Sequence, residues 1–218
     1  MNSFEDLGVP QNLIEKLSAQ GISDPTLIQY KAIPKALEGR DILGLAQTGT
    51  GKTAAFVIPL LARVLKISGK REAKSAQSLI LAPTRELAKQ IDTTVKTFVE
   101  GSHLRVRLVV GGVSISGQMK RLSKGCDILV ATPGRLIDLL NRDAVNLSDT
   151  KFLVLDEADQ MLDLGFIHSL RKIANLLPEK RQTMLFSATM PKKINELASS
   201  YLSDPIRVEA APAGKVAD

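Results

Sequence analysis

The stretch LGLAQTGTGKTAAF (43–56) has the residue types and spacing of a phosphate-binding loop. Gly49 and Gly51 allow a tight backbone turn whose N–H groups point toward phosphate oxygens. The Lys52 ammonium can reach the β and γ phosphates of a nucleotide, and the Thr53 hydroxyl can ligate Mg²⁺. The alternative is a glycine-rich turn that matches by chance. The predicted phosphate-binding residues are Ala46, Gln47, Thr48, Gly49, Thr50, Gly51, Lys52 and Thr53.

Two carboxylates follow an apolar run in the segment FLVLDEAD (152–159). If the run is a buried strand, Asp156 and Glu157 lie at the carboxyl edge of a sheet, where doubly wound sheets bind ligands. There Asp156 can hold Mg²⁺ through water, and Glu157 can orient and deprotonate an attacking water molecule. The alternative is an acidic helix N-terminus after a strand, a common arrangement. With the phosphate loop upstream, we predict a nucleotide-hydrolysing site.

Short apolar runs that alternate with helical patterns must position these groups. The runs are dense in Ile, Leu and Val, which is typical of strands buried on both faces of a parallel sheet. Strand–helix alternation predicts an α/β domain with a mainly parallel sheet of about seven strands and helices on both faces. The predicted strands occupy 41–46, 78–82, 106–110, 127–132, 152–156, 183–188 and 205–208.

Helical periodicity is clearest in three segments. Apolar residues recur at steps of three and four in 83–99 and in 166–177, so each segment has one apolar stripe. The segment 9–21 also predicts a helix, with Pro10 in its first turn and Gly21 as its end. No internal repeat and no long domain linker interrupt the pattern.

Composition limits the kinds of partner and compartment. The net charge is +6 and the pI about 9.5, which favours an anionic partner such as nucleic acid, although a basic enzyme with scattered surface charge is an alternative. Cys126 is the single cysteine, and it reads as a small buried hydrophobe. Without a disulfide or a leader sequence, we expect a cytoplasmic protein. His103 and His168 lack partners at zinc-ligand spacing, and no apolar run is long enough for a membrane span.

At DEAD (156–159) the sequence resembles the DEAD-box family of ATP-dependent RNA helicases, and we expect a member of bacterial type. Further segments resemble the family's motifs and follow one another in the family's order. The family also commonly has Ala at the first position of the phosphate loop, where this chain has Ala46. The resemblance spans residues 4 to 189 and implies a RecA-like domain that uses ATP and Mg²⁺. The matching segments are GISDPTLIQ (21–29), PTRELA (83–88), GG (111–112), TPGR (132–135) and SAT (187–189).

Two residues near the amino terminus are candidates for base recognition. The Gln29 amide can donate to and accept from one base edge, which suits adenine and implies ATP over GTP. Phe4 lies 17 residues before Gly21, where the family places an aromatic that stacks on adenine. The alternatives are a core residue for Phe4 and a helix-surface amide for Gln29.

A second set of motif residues follows other strands and should gather along the same sheet edge. Helix starts, hydroxyls and guanidinium groups can bind a sugar–phosphate backbone with little sequence preference. A preference for RNA over DNA is implied by the resemblance alone, and TPGR alone is also typical of a Pro-started helix. The predicted RNA-binding residues are Pro83, Thr84, Arg85, Gly111, Gly112, Thr132, Pro133, Gly134 and Arg135.

The SAT segment also follows a strand. Ser187 and Thr189 can bridge to the Asp156–Asp159 segment, and the resemblance implies that this contact, through Asp159, couples ATP state to RNA binding. The alternative is a simple hydroxyl cap before Pro191.

The resemblance covers only the first of the family's two similar domains. We expect one RecA-like domain over 1–208, with a Q-motif region at 1–40 and a nucleotide-binding core at 41–208, and a flexible tail or linker at 209–218. The second domain, which in the family supplies arginines to the γ phosphate, is expected to be missing. Because an arginine finger contributes about 10³–10⁵ in rate, we expect a monomeric domain that binds adenine nucleotide weakly, with little ATPase and no unwinding.

Two other functions remain open from the sequence. One is a DNA helicase or another P-loop ATPase, against which the DEAD and Q-motif segments argue. The other is a nucleotide-gated docking module without catalysis. The presence of Lys52, Thr53, Asp156 and Glu157 favours part of an active enzyme.

Overall fold

Seven short strands form one parallel sheet in the computed structural model, which describes residues 3–67 and 70–210. All six strand pairings are parallel, and the sheet order is β3-β4-β2-β5-β6-β1-β7. The α/β class predicted from the apolar runs is therefore confirmed. The strands are β1 Ile42–Leu45, β2 Ala76–Leu81, β3 Val106–Val109, β4 Cys126–Ala131, β5 Phe152–Leu155, β6 Gln182–Ser187 and β7 Ile206–Glu209.

Nine helices connect and cover these strands within the described ranges. None of them is long and apolar enough to span a membrane. The helices are α1 Gln11–Ala19, α2 Leu27–Leu37, α3 Lys52–Val64, α4 Arg85–Val99, α5 Ile115–Leu122, α6 Pro133–Asn141, α7 Ala158–Asp163, α8 Ile167–Leu176 and α9 Lys192–Tyr201.

Two hydrophobic clusters separate the helices into two layers. Successive strand residues point to opposite faces, so in β4 Ile128 and Val130 join one cluster and Leu129 joins the other. The first cluster includes buried residues of α1 to α4, and the second includes buried residues of α5 to α9. The sheet is thus covered on both faces, as expected of near-continuous apolar strands.

The differences from the sequence-based bounds are small and have local causes. Strand β2 begins at Ala76, two residues before the predicted 78–82, because Ala76 already pairs with Cys126 of the parallel neighbour β4. Pro10 is the N-cap of α1 and lies just outside its first turn. The tail expected at 209–218 begins inside β7, and from residue 211 onward it lies outside the described residues.

Replacing Gly44 with alanine is expected to destabilise the sheet. A Cβ at Gly44 would lie 2.5 Å from two ring carbons of Phe186, a fully buried side chain on β6. Overpacking of this kind costs about 1–3 kcal/mol, which corresponds to a melting temperature lower by about 2–12 °C in a domain of this size. Gly111→Ala is the control, because its added Cβ meets no atom of residues 3–67 and 70–210 within 4 Å. Equal melting temperatures for the two variants would contradict this packing argument.

Cys126 is expected to react with thiol reagents only when the chain unfolds. The residue is fully buried on β4, and burial raises the pKa of its thiol to about 12, so the nucleophilic thiolate is scarce at neutral pH. Labelling with a chromogenic disulfide should rise with urea in parallel with unfolding. Rapid labelling of the folded chain would contradict the buried position. The cytoplasmic compartment stays a prediction.

Candidate functional site

The sheet order brings the predicted motifs together in two groups. Strands β5, β6 and β1 are neighbours, and they precede the DEAD segment, the SAT segment and the phosphate loop. Strands β3, β4 and β2 are also neighbours, and they precede GG, TPGR and PTRELA. Because all the strands are parallel, both groups lie at the same carboxyl edge.

The phosphate loop joins β1 to the start of α3. Gly49 and Gly51 have φ angles of 88° and 82°, which residues other than glycine rarely adopt. At Gly51 an added Cβ would also lie 2.6 Å from the Gln29 amide nitrogen. Helix α3 begins at Lys52, so the unpaired N–H groups and the positive end of the helix dipole face the loop.

Lys52 connects the loop to both predicted catalytic carboxylates. Its Nζ lies 2.9 Å from Asp156 Oδ1 and 3.4 Å from Glu157 Oε1. Thr48 also donates a hydrogen bond to Glu157 Oε1, at 3.3 Å. Residues more than a hundred positions apart in the sequence thus form one polar cluster.

Asp156 lies in an unusual electrostatic setting. Its side chain is fully buried, and burial raises the pKa of its carboxyl group despite the opposing effect of Lys52. Oδ1 is paired with Lys52 and accepts a hydrogen bond from the Glu157 N–H, whereas Oδ2 is buried and has no hydrogen-bond partner in the part of the chain that the structure describes. A buried, unpaired carboxylate oxygen is costly unless it binds a donor or a cation, so the site suits a hard cation.

Glu157 is held in a strained backbone conformation. Its φ and ψ are both 52°, a left-handed conformation that is uncommon for residues other than glycine and recurs at functional sites. Its side chain lines a cavity of about 220 Å³ together with Lys52, Asp159 and Ala188. The cavity therefore joins the phosphate loop, the DEAD segment and the SAT segment.

The SAT segment contacts the DEAD segment through one of its two predicted hydroxyls. Thr189 Oγ1 donates to Asp159 Oδ2 at 3.1 Å. Ser187 is fully buried and donates to the carbonyl oxygen of Thr189 at 2.8 Å. The predicted bridge from Ser187 to the DEAD segment is therefore wrong in this conformation, because its hydroxyl closes the turn after β6 instead.

The two candidates for base recognition are not together. Phe4 is only 2% exposed and packs in the hydrophobic core, so the core alternative describes its position here. Gln29 is also buried, and its amide bridges two backbone groups: Oε1 accepts from Thr26 N at 3.0 Å, and Nε2 donates to Gly51 O at 2.9 Å. Gln29 thus ties the start of α2 to the phosphate loop and borders a cavity of about 320 Å³ with Thr53.

The second motif group is linked by arginine side chains. Arg85, exposed at the start of α4, donates to Gly111 O at 3.4 Å. Arg135 Nη1 donates to Val113 O and to Gln118 Oε1, at 2.9 and 3.0 Å. These contacts join the loops after β2, β3 and β4 into one surface.

Three members of this predicted group offer little surface to a ligand. Pro83, Thr132 and Pro133 are buried, whereas Arg85 and Gly134 are exposed. Thr132 and Pro133 form the start of α6, and they act there as N-cap and first helical residue, the position that proline favours. Direct contact with a phosphate backbone therefore depends on the exposed members.

Sequence reasoning missed two residues that organise the site. Gln118 is buried, accepts from Arg135 and donates from Nε2 to Val110 O at 3.0 Å, and no local motif marks it. Thr26 is the N-cap of α2 and bonds Gln29 three residues later. The contact between Thr26 and Gln29 does have a signal in the sequence, because the Thr-x-x-Gln spacing is typical of a capping box.

Comparison with known families and proteins agrees with this arrangement. Residues 26–197 match the DEAD/DEAH box helicase family. The chain is 47% identical over 214 residues to "DEAD-box ATP-dependent RNA helicase 24" of Oryza sativa and 46% identical to the protein of the same name of Arabidopsis thaliana. Each match covers 98% of this chain but only 28% of the relative. Both relatives are plant proteins, so the expected bacterial type has no support.

Two solved structures resemble the fold closely. A DEAD box protein from the hyperthermophile Methanococcus jannaschii is 37% identical, with a TM-score of 0.87 over 96% of this chain and 56% of its own. The yeast DEAD-box splicing factor Prp28 is 36% identical, with a TM-score of 0.91 over 97% of this chain and 51% of its own. The expected RecA-like fold is thereby confirmed.

Proposed function

Because this chain belongs to the DEAD/DEAH box helicase family, we propose that it is the ATP-binding and RNA-binding amino-terminal domain of an RNA helicase. The whole protein would couple ATP hydrolysis to local RNA unwinding or to remodelling of RNA–protein complexes. The observation that carries this proposal is the cluster of Lys52, Asp156 and Glu157 beside the phosphate loop.

In this proposal the residues of the cluster divide the work on the triphosphate. Lys52 exchanges its two carboxylate partners for the β and γ phosphates. Glu157 orients the attacking water and accepts its proton. Asp156, the neighbour of the general base Glu157, is assigned to hold a cation. The Oδ2 atom of Asp156 supports this assignment, because it has no hydrogen-bond partner among the described residues.

Asp156 and the Thr53 hydroxyl are the residues that would hold Mg²⁺. When bound, Mg²⁺ neutralises charge on the phosphates. No group of three or more acidic, His or Cys side chains forms a metal cage in residues 3–67 and 70–210. One carboxylate and a hydroxyl beside substrate phosphates is the ligand set that Mg²⁺ commonly uses.

Recognition of adenine is assigned to Gln29. Its amide retains one N–H on Nε2 and one lone pair on Oε1 beyond the two hydrogen bonds it makes. These free positions suit the amino group and ring nitrogen of adenine, which implies ATP over GTP. Phe4 is assigned a core role, because stacking on a base requires an exposed ring face and Phe4 has almost none.

RNA binding is assigned to the surface formed by Arg85, the Gly111–Gly112 loop, Gly134 and Arg135. Its exposed backbone groups and guanidinium groups suit phosphates, so binding should tolerate many sequences. Thr189 links this function to the nucleotide through its bond with Asp159.

On its own the domain should bind nucleotide and turn it over very slowly, as a monomer. The relatives are more than three times as long as the matched region, and a second domain that supplies arginines would account for part of that length. A steady-state ATPase assay of this chain with single-stranded RNA tests the proposal. Turnover stimulated by RNA to the level of a complete helicase would overturn the dependence on a second domain.

A further inference from the structure

A groove rich in cations lies along the free edge of the sheet. It has a volume of about 340 Å³ and runs between α4, the edge strand β3 and α5. We call it the basic edge groove and define it by its four cations. These are Lys89, Lys96, Arg107 and Arg121.

The charges of this groove are largely uncompensated. Among the described residues, no carboxylate lines it. Of the four groove cations, only Lys96 has an ion-pair partner among the described residues, Asp92 at 2.8 Å. Arg107 donates instead to the carbonyl oxygens of Val106 and Arg121. Burial lowers the pKa of Arg107, and the nearby Arg105 contributes in the same direction.

The groove is continuous with the proposed RNA surface. Val110 and Val113, which flank the Gly111–Gly112 loop, also line the groove. On α4, Lys89 and Lys96 lie four and eleven residues after Arg85, so the three cations share one helix face. From Lys89 to Lys96 the stripe extends about 10 Å away from the loop.

The lining favours a phosphate backbone as the occupant. No aromatic residue of the described ranges lines the groove, so these residues offer bases no stacking surface, and the cations can contact phosphates. An acidic protein strand paired with β3 is disfavoured, because two carbonyls near this edge are already taken. Val106 O accepts from Arg107, and Val110 O accepts from Gln118.

We propose that the basic edge groove binds phosphates of the same RNA strand beyond the segment held at the Gly111–Gly112 loop. This inference rests on the proposed RNA-binding function and extends its footprint. RNA long enough to reach the groove should bind this chain more tightly than RNA that covers only the loop surface.

The test is fluorescence anisotropy of this chain with labelled single-stranded RNA of about six and about twelve nucleotides. The Arg107→Gln/Arg121→Gln variant should bind the longer RNA about tenfold more weakly at low salt, because two phosphate contacts are lost. The slope of log affinity against log salt should fall by about 1.4, at about 0.7 per contact. Binding of the shorter RNA should be unchanged.

The matched control is Arg207→Gln/Lys35→Gln, which removes two exposed cations from the opposite edge strand β7 and from α2. Lys89→Gln is a second groove variant, since Lys89 lines the groove at an exposed position of α4. Each variant is checked for an unchanged melting transition.

The outcomes separate the two proposals. If the natural chain binds RNA and the groove variants bind the longer RNA equally well, the groove inference is overturned and the proposed function stands. If the natural chain binds neither RNA, both are overturned. If a polyglutamate peptide binds in a groove-dependent way and RNA does not, the occupant is an acidic protein segment and the inference is wrong.

Discussion

Glu157→Gln is expected to lower ATP turnover by the full-length protein by about 10²–10⁴-fold, the usual contribution of a general base. The amide keeps the size of the side chain and its hydrogen-bonding reach toward Lys52 and Thr48 but cannot accept the proton of an attacking water molecule. Affinity for ATP should stay within a few-fold. Single-turnover hydrolysis measured beside equilibrium binding separates the two effects.

Glu15→Gln is the matched control for this substitution. It makes the same acid-to-amide change at an exposed position of α1, and turnover should be unaffected. Glu157→Gln with normal turnover would remove Glu157 from the role of general base. An equal loss of binding and turnover would instead assign it to the binding of nucleotide.

Lys52→Met is expected to destabilise the nucleotide-free chain by about 3–5 kcal/mol, the usual effect of removing one partner of a buried ion pair. Both partners are buried, with side-chain exposures of 6% for Lys52 and 0% for Asp156. Without Lys52, burial and Glu157 remain as influences that raise the pKa of Asp156. Urea unfolding at neutral pH should show the loss.

The loss should depend on pH in a definite direction. With its pKa raised above that of the unfolded chain, Asp156 keeps its proton more readily when folded, so the folded variant is favoured at low pH. The destabilisation should be smallest near the ordinary Asp pKa of about 3.9 and grow as the pH rises. The opposite trend would contradict the buried pair as its cause.

Lys35→Met is the matched control for stability. Lys35 makes an ion pair of 3.3 Å with Glu38, and the two side chains are 47% and 58% exposed. Surface pairs of this kind contribute at most about 1 kcal/mol. Equal losses in the free energy of unfolding for the two lysine variants would mean that burial of the ion pair does not determine its contribution to stability.

Most of the fold could be predicted because each strand is a local signal. Runs such as 127–132 are short, apolar and separated by helical stripes, and their positions agree with the structure within one or two residues. The strand order could not be predicted, because it depends on packing between distant helices. That order places β6 between β5 and β1 and so brings three motifs to one cavity.

The site was predictable as a set of residues but not as a set of contacts. The motif containing Lys52 and that containing Asp156 are recognisable in sequence, yet their direct pairing requires the strand order of the folded sheet, in which β6 alone separates β5 from β1. Phe4 shows a different limit of sequence reasoning. Its position along the chain suggested stacking on adenine, but that position does not reveal that the ring is enclosed by the core. Gln118 carries no signal, because its role depends on Arg135 in another helix.

We propose that the phosphate loop and Gln29 together bind an adenine nucleotide. Calorimetric titration of this chain with ATP, and in parallel with GTP, both with Mg²⁺, tests that claim most directly. We predict saturable binding of one ATP per chain and clearly weaker binding of GTP. Absence of ATP binding at millimolar concentrations, or equal affinity for GTP, would contradict it.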